Sequence, residues 1–426
     1  MHAQLMRLIL ISVLVGATIG CQRRTAEPGT TSSQQPPKQG ATSKPNVSDN
    51  PEQLIPAIDS HNIVALRQLL DRGVRADDFQ PLCEAAERNN TEAMALLLER
   101  GAKVEAKDQI GMTALVCAAR TLGDTTEAMK LLIAKGAASE DKAQALFAVA
   151  EAVIAEEGEV LPEKQQALVL KRPQLQIAMA PWDVSNIKKA ELLLHSGVSV
   201  NVRDKVRDNV TPLIWAATLG NTAVVQFLLS KGAAVEARDR GGDTALVRAA
   251  CSCAIIDMPY TLDSIRLLLK KGADVEAKDN DDTTALMAAA GWGRSEIITL
   301  LLENGARIDD RDKHGDTALI IAATGSGVPT AAAVQVLLEK GATVNTQNYK
   351  GDTALTLAAS TGGFEDAQVV KLLLANGADP SIKNNRGETA LSLAEKNRRT
   401  PIVQLLRKAL ATEMPITSRA RPHEPA

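Results

Sequence analysis

Three side chains that together could move a proton stand within four residues of the string "KHGDTALIIAATGSG": the imidazole of His314, the carboxylate of Asp316 and the hydroxyl of Thr317. A base, a group that orients it and a nucleophile are the parts of a hydrolytic site. Cys251-Ser-Cys253 offers a second chemistry, because two neighbouring sulfurs can bind a metal or cycle between thiol and disulfide. Its spacing is C-x-C, whereas zinc knuckles and thioredoxin-type sites use C-x-x-C. Cys83 and Cys117 lie far along the chain from that pair and cannot complete its ligand set, so no metal site is expected. A Cys251–Cys253 disulfide or two free thiols are the expected states, and a Cys83–Cys117 bond is not expected, since the two stand one residue out of register. The other histidines, His2, His61, His195 and His423, are scattered and give no second imidazole beside His314.

The His314 string has copies. Relatives begin at Gly111 ("GMTALVCAA"), Asn209 ("NVTPLIWAA"), Gly242 ("GDTALVRAA"), Asp282 ("DTTALMAAA"), Gly351 ("GDTALTLAA") and Gly387 ("GETALSLAE"). Each leads into an apolar run and, in all but the last, then a glycine; the undisturbed interval, Gly272 to Gly305, is 33 residues. Asp316 recurs as Asp243 and Asp352 and as Glu388, and Thr317 recurs in every full unit, but His314 does not. A catalytic set copied at most repeats without its base is scaffold, so no catalytic residue is assigned. The period assigns structural roles instead. Thr stands where a helix starts and can cap its free N–H groups. Leu and the Ala pair form the apolar stripe of a first helix, and Leu-Leu the buried face of a second. The glycine that follows stops the second helix in a left-handed conformation, and Asp/Asn-x-x-Gly is a tight turn. One unit leaves an apolar face open, so neighbours must stack.

Thr-(Pro/Ala)-Leu, Ala-Ala, Leu-Leu-Leu, Gly-Ala and the "VEAKD" run, recurring over about residues 52–410, resemble ankyrin repeats. The resemblance implies an all-α repeat solenoid: about ten helix-turn-helix units with projecting β-hairpin-like turns. First helices are expected near Glu52, Gln80, Thr113, Gln144, Thr211, Thr244, Thr284, Thr317, Thr353 and Thr389. One family feature is missing. The histidine that follows Thr-Pro-Leu is replaced by Cys83, Val116, Ile214, Val247, Met287, Ile320, Thr356 and Ser392. Its hydrogen bond must be replaced or forgone.

The N-terminus reads differently. Leu8–Gly20 is an apolar to small run, too short to span a bilayer and suited to a signal-peptide core. It ends at Thr18-Ile19-Gly20-Cys21, which resembles a bacterial lipobox, though with Thr18 where leucine is usual. That resemblance implies residues 1–20 as signal peptide and acylation of Cys21. Gln22 after the cysteine resembles outer-membrane lipoproteins, so the expected location is the bacterial cell envelope, on the outer membrane and facing the periplasm. Residues 21–50, rich in Ser, Thr, Pro and Gln, are expected to be a disordered tether, and 411–426 a disordered tail.

Charge nearly cancels, with 48 basic and 51 acidic residues, which excludes a nucleic-acid binder. Neither a cofactor nor a small-molecule substrate is evident, and the membrane is expected to be met only through the lipid. Insertions fall between the two helices of a unit; the largest, about 157–183 in the fourth, carries Trp182 and is either a binding arm or a loop lying on the solenoid. The resemblance implies a protein partner gripped by turn tips and first-helix ends. On this chain these are Arg240, Asn280, Asp281, Lys313, His314, Tyr349, Lys350, Asn385 and Arg386 at the tips, with Trp292 after a first helix. A cytosolic or host-directed ankyrin effector, and an enzyme using the inserted loops, remain as alternatives.

Overall fold

The computed structural model describes residues 51–107, 111–121, 123–151, 180–205, 208–251, 259–324, 330–361 and 366–413. Cys21, the leader, the tether, Cys253 and most of the large insertion lie outside them.

Among the described residues twenty α-helices pair off in chain order. Repeat 1 is α1 (Ile55–Asp59) and α2 (Ile63–Asp71), entered through a 3-10 turn at Pro51–Leu54; repeat 2 is α3 (Phe79–Glu87) and α4 (Thr91–Glu99). Repeat 3 is α5 (Ala114–Arg120) and α6 (Thr126–Ala134), and repeat 4 is α7 (Ser139–Glu151) and α8 (Ala180–His195). Repeat 5 is α9 (Pro212–Thr218) and α10 (Thr222–Ser230), repeat 6 is α11 (Ala245–Ala250) and α12 (Pro259–Lys270), and repeat 7 is α13 (Ala285–Gly291) and α14 (Ser295–Glu303). Repeats 8 to 10 are α15 (Ala318–Ala323) and α16 (Ala331–Glu339), α17 (Ala354–Ser360) and α18 (Asp366–Ala375), α19 (Ala390–Lys396) and α20 (Thr400–Glu413). No strand forms among the described residues; Asp204 and Val210 make an isolated bridge. No described helix is long and apolar enough to cross a membrane.

The described chain forms two compact units. One holds repeats 1–3, to residue 141; the other holds 122–124 and 142–413. Within each, first helices pack on neighbouring first helices and second on second. The Ala pairs make that approach close: Ala249, Ala250, Ala289, Ala290, Ala322 and Ala323 are all buried. Second helices contribute the larger groups, among them Leu228, Leu268, Leu301 and Leu337 at zero exposure. Lys189 on α8 is also wholly buried; burial pushes its ammonium down to about 8, against the opposing pull of Asp124.

The cap residues behave as their chemistry dictates. Thr211, Thr244, Thr284, Thr317, Thr353 and Thr389 each accept the N–H three residues on, at 3.2 to 3.4 Å. At the other end, Gly232, Gly272, Gly305, Gly341 and Gly377 sit at φ +84° to +92°. The next amide then reaches back to a helix carbonyl, as Ala233 N–H does to Leu228 O at 3.0 Å. In the family's vacant histidine position the chain improvises. Thr356 and Ser392 accept the Thr353 and Thr389 N–H groups at 2.8 Å and close a reciprocal cap. The aliphatic residues at Ile214, Val247 and Ile320 supply no such acceptor.

Two expectations are corrected. The first helix of repeat 4 starts at Ser139, not near Gln144. Gly136 is followed by no Asp/Asn-x-x-Gly turn, and Ser139, Glu140 and Asp141 suit a first helical turn, so the chain enters the helix directly. Cys83 and Cys117 are bonded across α3 and α5, with Cα atoms 5.9 Å apart. Glu87 lies beside them, but both sulfurs are spent on each other, so the three are not a thiolate ligand set. The bond closes a loop with a sequence separation of 34, which is worth about 3–4 kcal/mol in the chain-entropy picture.

At each tip the fourth turn position is left-handed. Gly242, Gly315, Gly351 and Gly387 hold φ +73° to +84°, whereas repeat 7 has Asp282 at φ +60°. Asp282→Gly is expected to raise stability by about 0.5–1 kcal/mol. An unchanged or lowered urea midpoint would show that the strain is absent.

Candidate protein-binding surface

Each tip is a five-residue turn organised by its first side chain. Asp312 Oδ1 accepts the N–H groups of His314 and Asp316, both at 2.8 Å, while its own N–H donates to Asp316 O. Asp279, Asn348 and Asn384 repeat the pattern: Oδ1 takes the amides two and four residues on, at 2.8 to 3.0 Å. One short side chain so replaces the ladder that a longer hairpin would need.

Neighbouring tips are joined through backbone. Arg240 N–H donates to Asp208 O, Asn280 to Gly241 O, Lys313 to Asp281 O, Tyr349 to His314 O and Asn385 to Lys350 O, at 2.7 to 3.1 Å. Beneath them runs a row of long donors. Arg203 reaches Asn209 O and Arg238 O; Arg238 reaches Gly242 O and Lys278 O; Arg311 reaches Gly315 O and Gln347 O; Gln347 reaches Gly351 O and Lys383 O. Each closes its own turn and grips the next. Asn348 and Asn384 add amide bonds to Asp316 and Asp352 Oδ1, at 2.7 and 2.8 Å.

This geometry disposes of the His314 trio as a catalytic group. Thr317 caps α15, Asp316 receives Asn348, and the His314 carbonyl receives Tyr349 N–H. Asp316 and the His314 carbonyl serve the joint between repeats 8 and 9, and Thr317 the start of its own helix.

The nine tip residues singled out from the sequence are all exposed and stand on five consecutive, hydrogen-bonded turns. Tyr349 is 66% exposed, although its ring lies against Gly315: a Cβ there would sit 2.8 Å from Tyr349 Cδ1. The tips change sign along the row. Asp281 and Asp282 of repeat 7 give way to Lys313, Lys350 and Arg386. Arg386 is partly satisfied by Glu388 at 2.7 Å, and Lys396, Asn384 and Arg386 together hold the Glu388 carboxyl down at about 2. Trp292 is not on a tip. It caps the end of α13, half-buried, and its indole N–H donates to Cys251 Sγ at 3.3 Å. That contact, the long-donor row and the Asn amides were not visible in the sequence as functional features; the Arg/Gln just before each Asp/Asn was the available signal for the row. The side chain of Trp182 lies outside the described residues.

Stacked helix pairs with short, mutually bonded turns define an interaction-repeat protein. Residues 54–144, 177–279, 252–348 and 330–416 match the family described as "Ankyrin repeats (3 copies)", and the chain belongs to it. Ankyrin repeats are a protein-interaction scaffold. The chain is 42% identical to human palmitoyltransferase ZDHHC17 and 40% identical to the rat protein over 67 residues, 16% of this chain. It spans about a tenth of the length of those relatives (10% and 11%). Among solved structures, the human ASB11 ankyrin repeat domain is 28% identical at a TM-score of 0.46, covering 55% of this chain and 96% of that one.

The tight seat of Tyr349 on Gly315 yields a paired expectation. Gly387→Ala, with nothing within 4 Å of the new Cβ, should cost about 1 kcal/mol through its positive φ alone. Gly315→Ala should cost roughly twice that, because Tyr349 and its backbone must also give way. Equal losses in denaturant midpoint would contradict the contact.

Proposed function

We propose that the chain is a non-enzymatic scaffold anchored in a bacterial envelope, which holds a protein partner along the tip row of repeats 6–10. The observation that carries this reading is that row: five exposed tips locked to one another, so that their side chains are presented in fixed spacing. Preorganised side chains lose little freedom on binding. Tyr349 supplies a large exposed ring at one tip, and Trp292 a half-buried one at the end of a first helix. Truncating such an anchor typically costs about 2 kcal/mol or more of binding when it is central. Trp292→Ala and Tyr349→Ala are expected to fold, by unchanged helical signal, and to weaken partner capture from the cell envelope at least tenfold. Full capture by both folded variants would move the site to the insertion around Trp182.

The anchor rests on the leader, on Cys21 after small residues and on the polar tether. The Cys83–Cys117 bond fits the same compartment, since disulfides persist where glutathione does not keep thiols reduced. Growth with an alkyne fatty acid should label the wild-type chain and not Cys21→Ser. Equal labelling of both, or of neither, would remove the anchor.

A further inference from the structure

In the second compact unit the first residue of one turn and the last residue of the turn before form an equivalent pair of positions at successive joints between tips, and at two joints the pair is in contact. At repeats 8/9 this pair is Asn348 and Asp316, and at 9/10 it is Asn384 and Asp352; each is an amide donating to a carboxylate. At 7/8 the pair is Asp312 and Thr283, a carboxylate and a hydroxyl. At 6/7 it is Asp279 and Asp243, two carboxyls. The register there is the same. Asn280 N–H donates to Gly241 O at 2.9 Å and its side chain to Arg240 O at 3.0 Å, as Asn385 does to Lys350 O and Tyr349 O at 3.0 and 2.9 Å. A Cβ on Gly242 would lie 2.7 Å from Asn280 N, and one on Gly351 the same distance from Asn385 N. The backbone therefore offers Asp243 and Asp279 the contact that Asp352 and Asn384 make.

The surroundings of Asp243 are few. It is buried, at 7% exposure. Its Oδ2 holds Arg248 Nε at 2.8 Å; its Oδ1 is the atom that in Asp316 and Asp352 receives the amide of the next repeat. Arg248 also binds Asp239 Oδ2, at 2.6 Å. Asp239 comes from the same turn, and Asp279 and Asp281 from the turn of repeat 7. The flanking helices α9 and α13 carry no titratable side chain. Asp279 Oδ1 is an acceptor already, taking the Asp281 and Thr283 amides at 2.8 Å. Like charges at such a joint are costly unless one of them takes a proton.

We propose that Asp243 and Asp279 form an acid-set clasp between repeats 6 and 7. Protonated Asp243 donates its O–H to the Asp279 carboxylate and does there what the Asn amide does at the later joints. Ionised Asp243 opposes Asp279, and this joint becomes the loose one in the row. Burial, offset by Arg248 and reinforced by Asp239, Asp279 and Asp281, pushes the Asp243 carboxyl from 3.8 up to about 6. A carboxyl raised on folding binds more protons folded than unfolded between those values. The joint therefore gains stability as pH falls through about 6, holds it below 3.8, and loses it as pH rises again. The clasp stands whether or not the row binds a partner.

Hydrogen exchange of the full chain at pH 7.5 and pH 5.0, corrected for the intrinsic pH dependence of exchange, tests this. Protection of the Asn280 amide should rise about tenfold at the lower pH, while that of Asn385 stays level. Asp279→Asn, which copies Asn348 and Asn384, should give the acid level of protection at both pH values. Asp243→Asn should do the same with the amide on the other side. A wild-type Asn280 amide indifferent to pH would overturn the clasp. So would a pH response that survives in both variants, since the titrating group would then lie elsewhere.

Discussion

A pair of helices five to sixteen residues long cannot cover its own apolar faces, and everything in this chain follows from that deficit. The faces are covered only by the next pair, so the same face must be presented again after a fixed length of chain. Alanine is what allows first helices to approach: Ala289 and Ala290, or Ala322 and Ala323, offer only a methyl group, too small to hold neighbours apart. With few large rings to fill space, the core gains its burial by repetition and not by bulk.

Stacking leaves a second problem at the turns, whose backbone groups cannot all find partners within five residues. Three devices meet it together. The Asp or Asn at the start takes two amides, the next tip takes a carbonyl, and an Arg or Gln beneath takes two more. The tips thereby become rigid without being strands. The same demand explains why so much conspicuous chemistry is structural: Asp316 and Thr317 are occupied on both sides, and only His314 keeps its side chain in solvent.

The repeat period, the threonine caps, the left-handed glycines and the number of helix pairs could be read from the sequence because each is local. A cap needs only the residue three places on, and a stop only the glycine itself. Contacts between copies were harder. Neighbouring helices are translated copies, so equivalent positions point the same way and do not meet. Cys83 and Cys117, one place out of step in the pattern, bond for that reason, and Cys251 meets Trp292 with the same offset. The start of α7 was misjudged because the threonine pattern was sought where no turn precedes the helix. The tip residues could be named from their variability between repeats, but not the fact that they are tied together.

The reach of those ties governs how the chain acquires its order. The donors beneath the tips span 35 to 40 residues, from Arg203–Arg238 at the short end to Arg238–Lys278 at the long one, and the tie never skips a repeat. Each of these enclosures is short, so each loses little entropy and closes early. Ordering can begin at any adjacent pair of repeats in the second unit and spread outward, one joint at a time. A protein built this way has no single transition that commits all of it, and its terminal repeats fray while the interior persists.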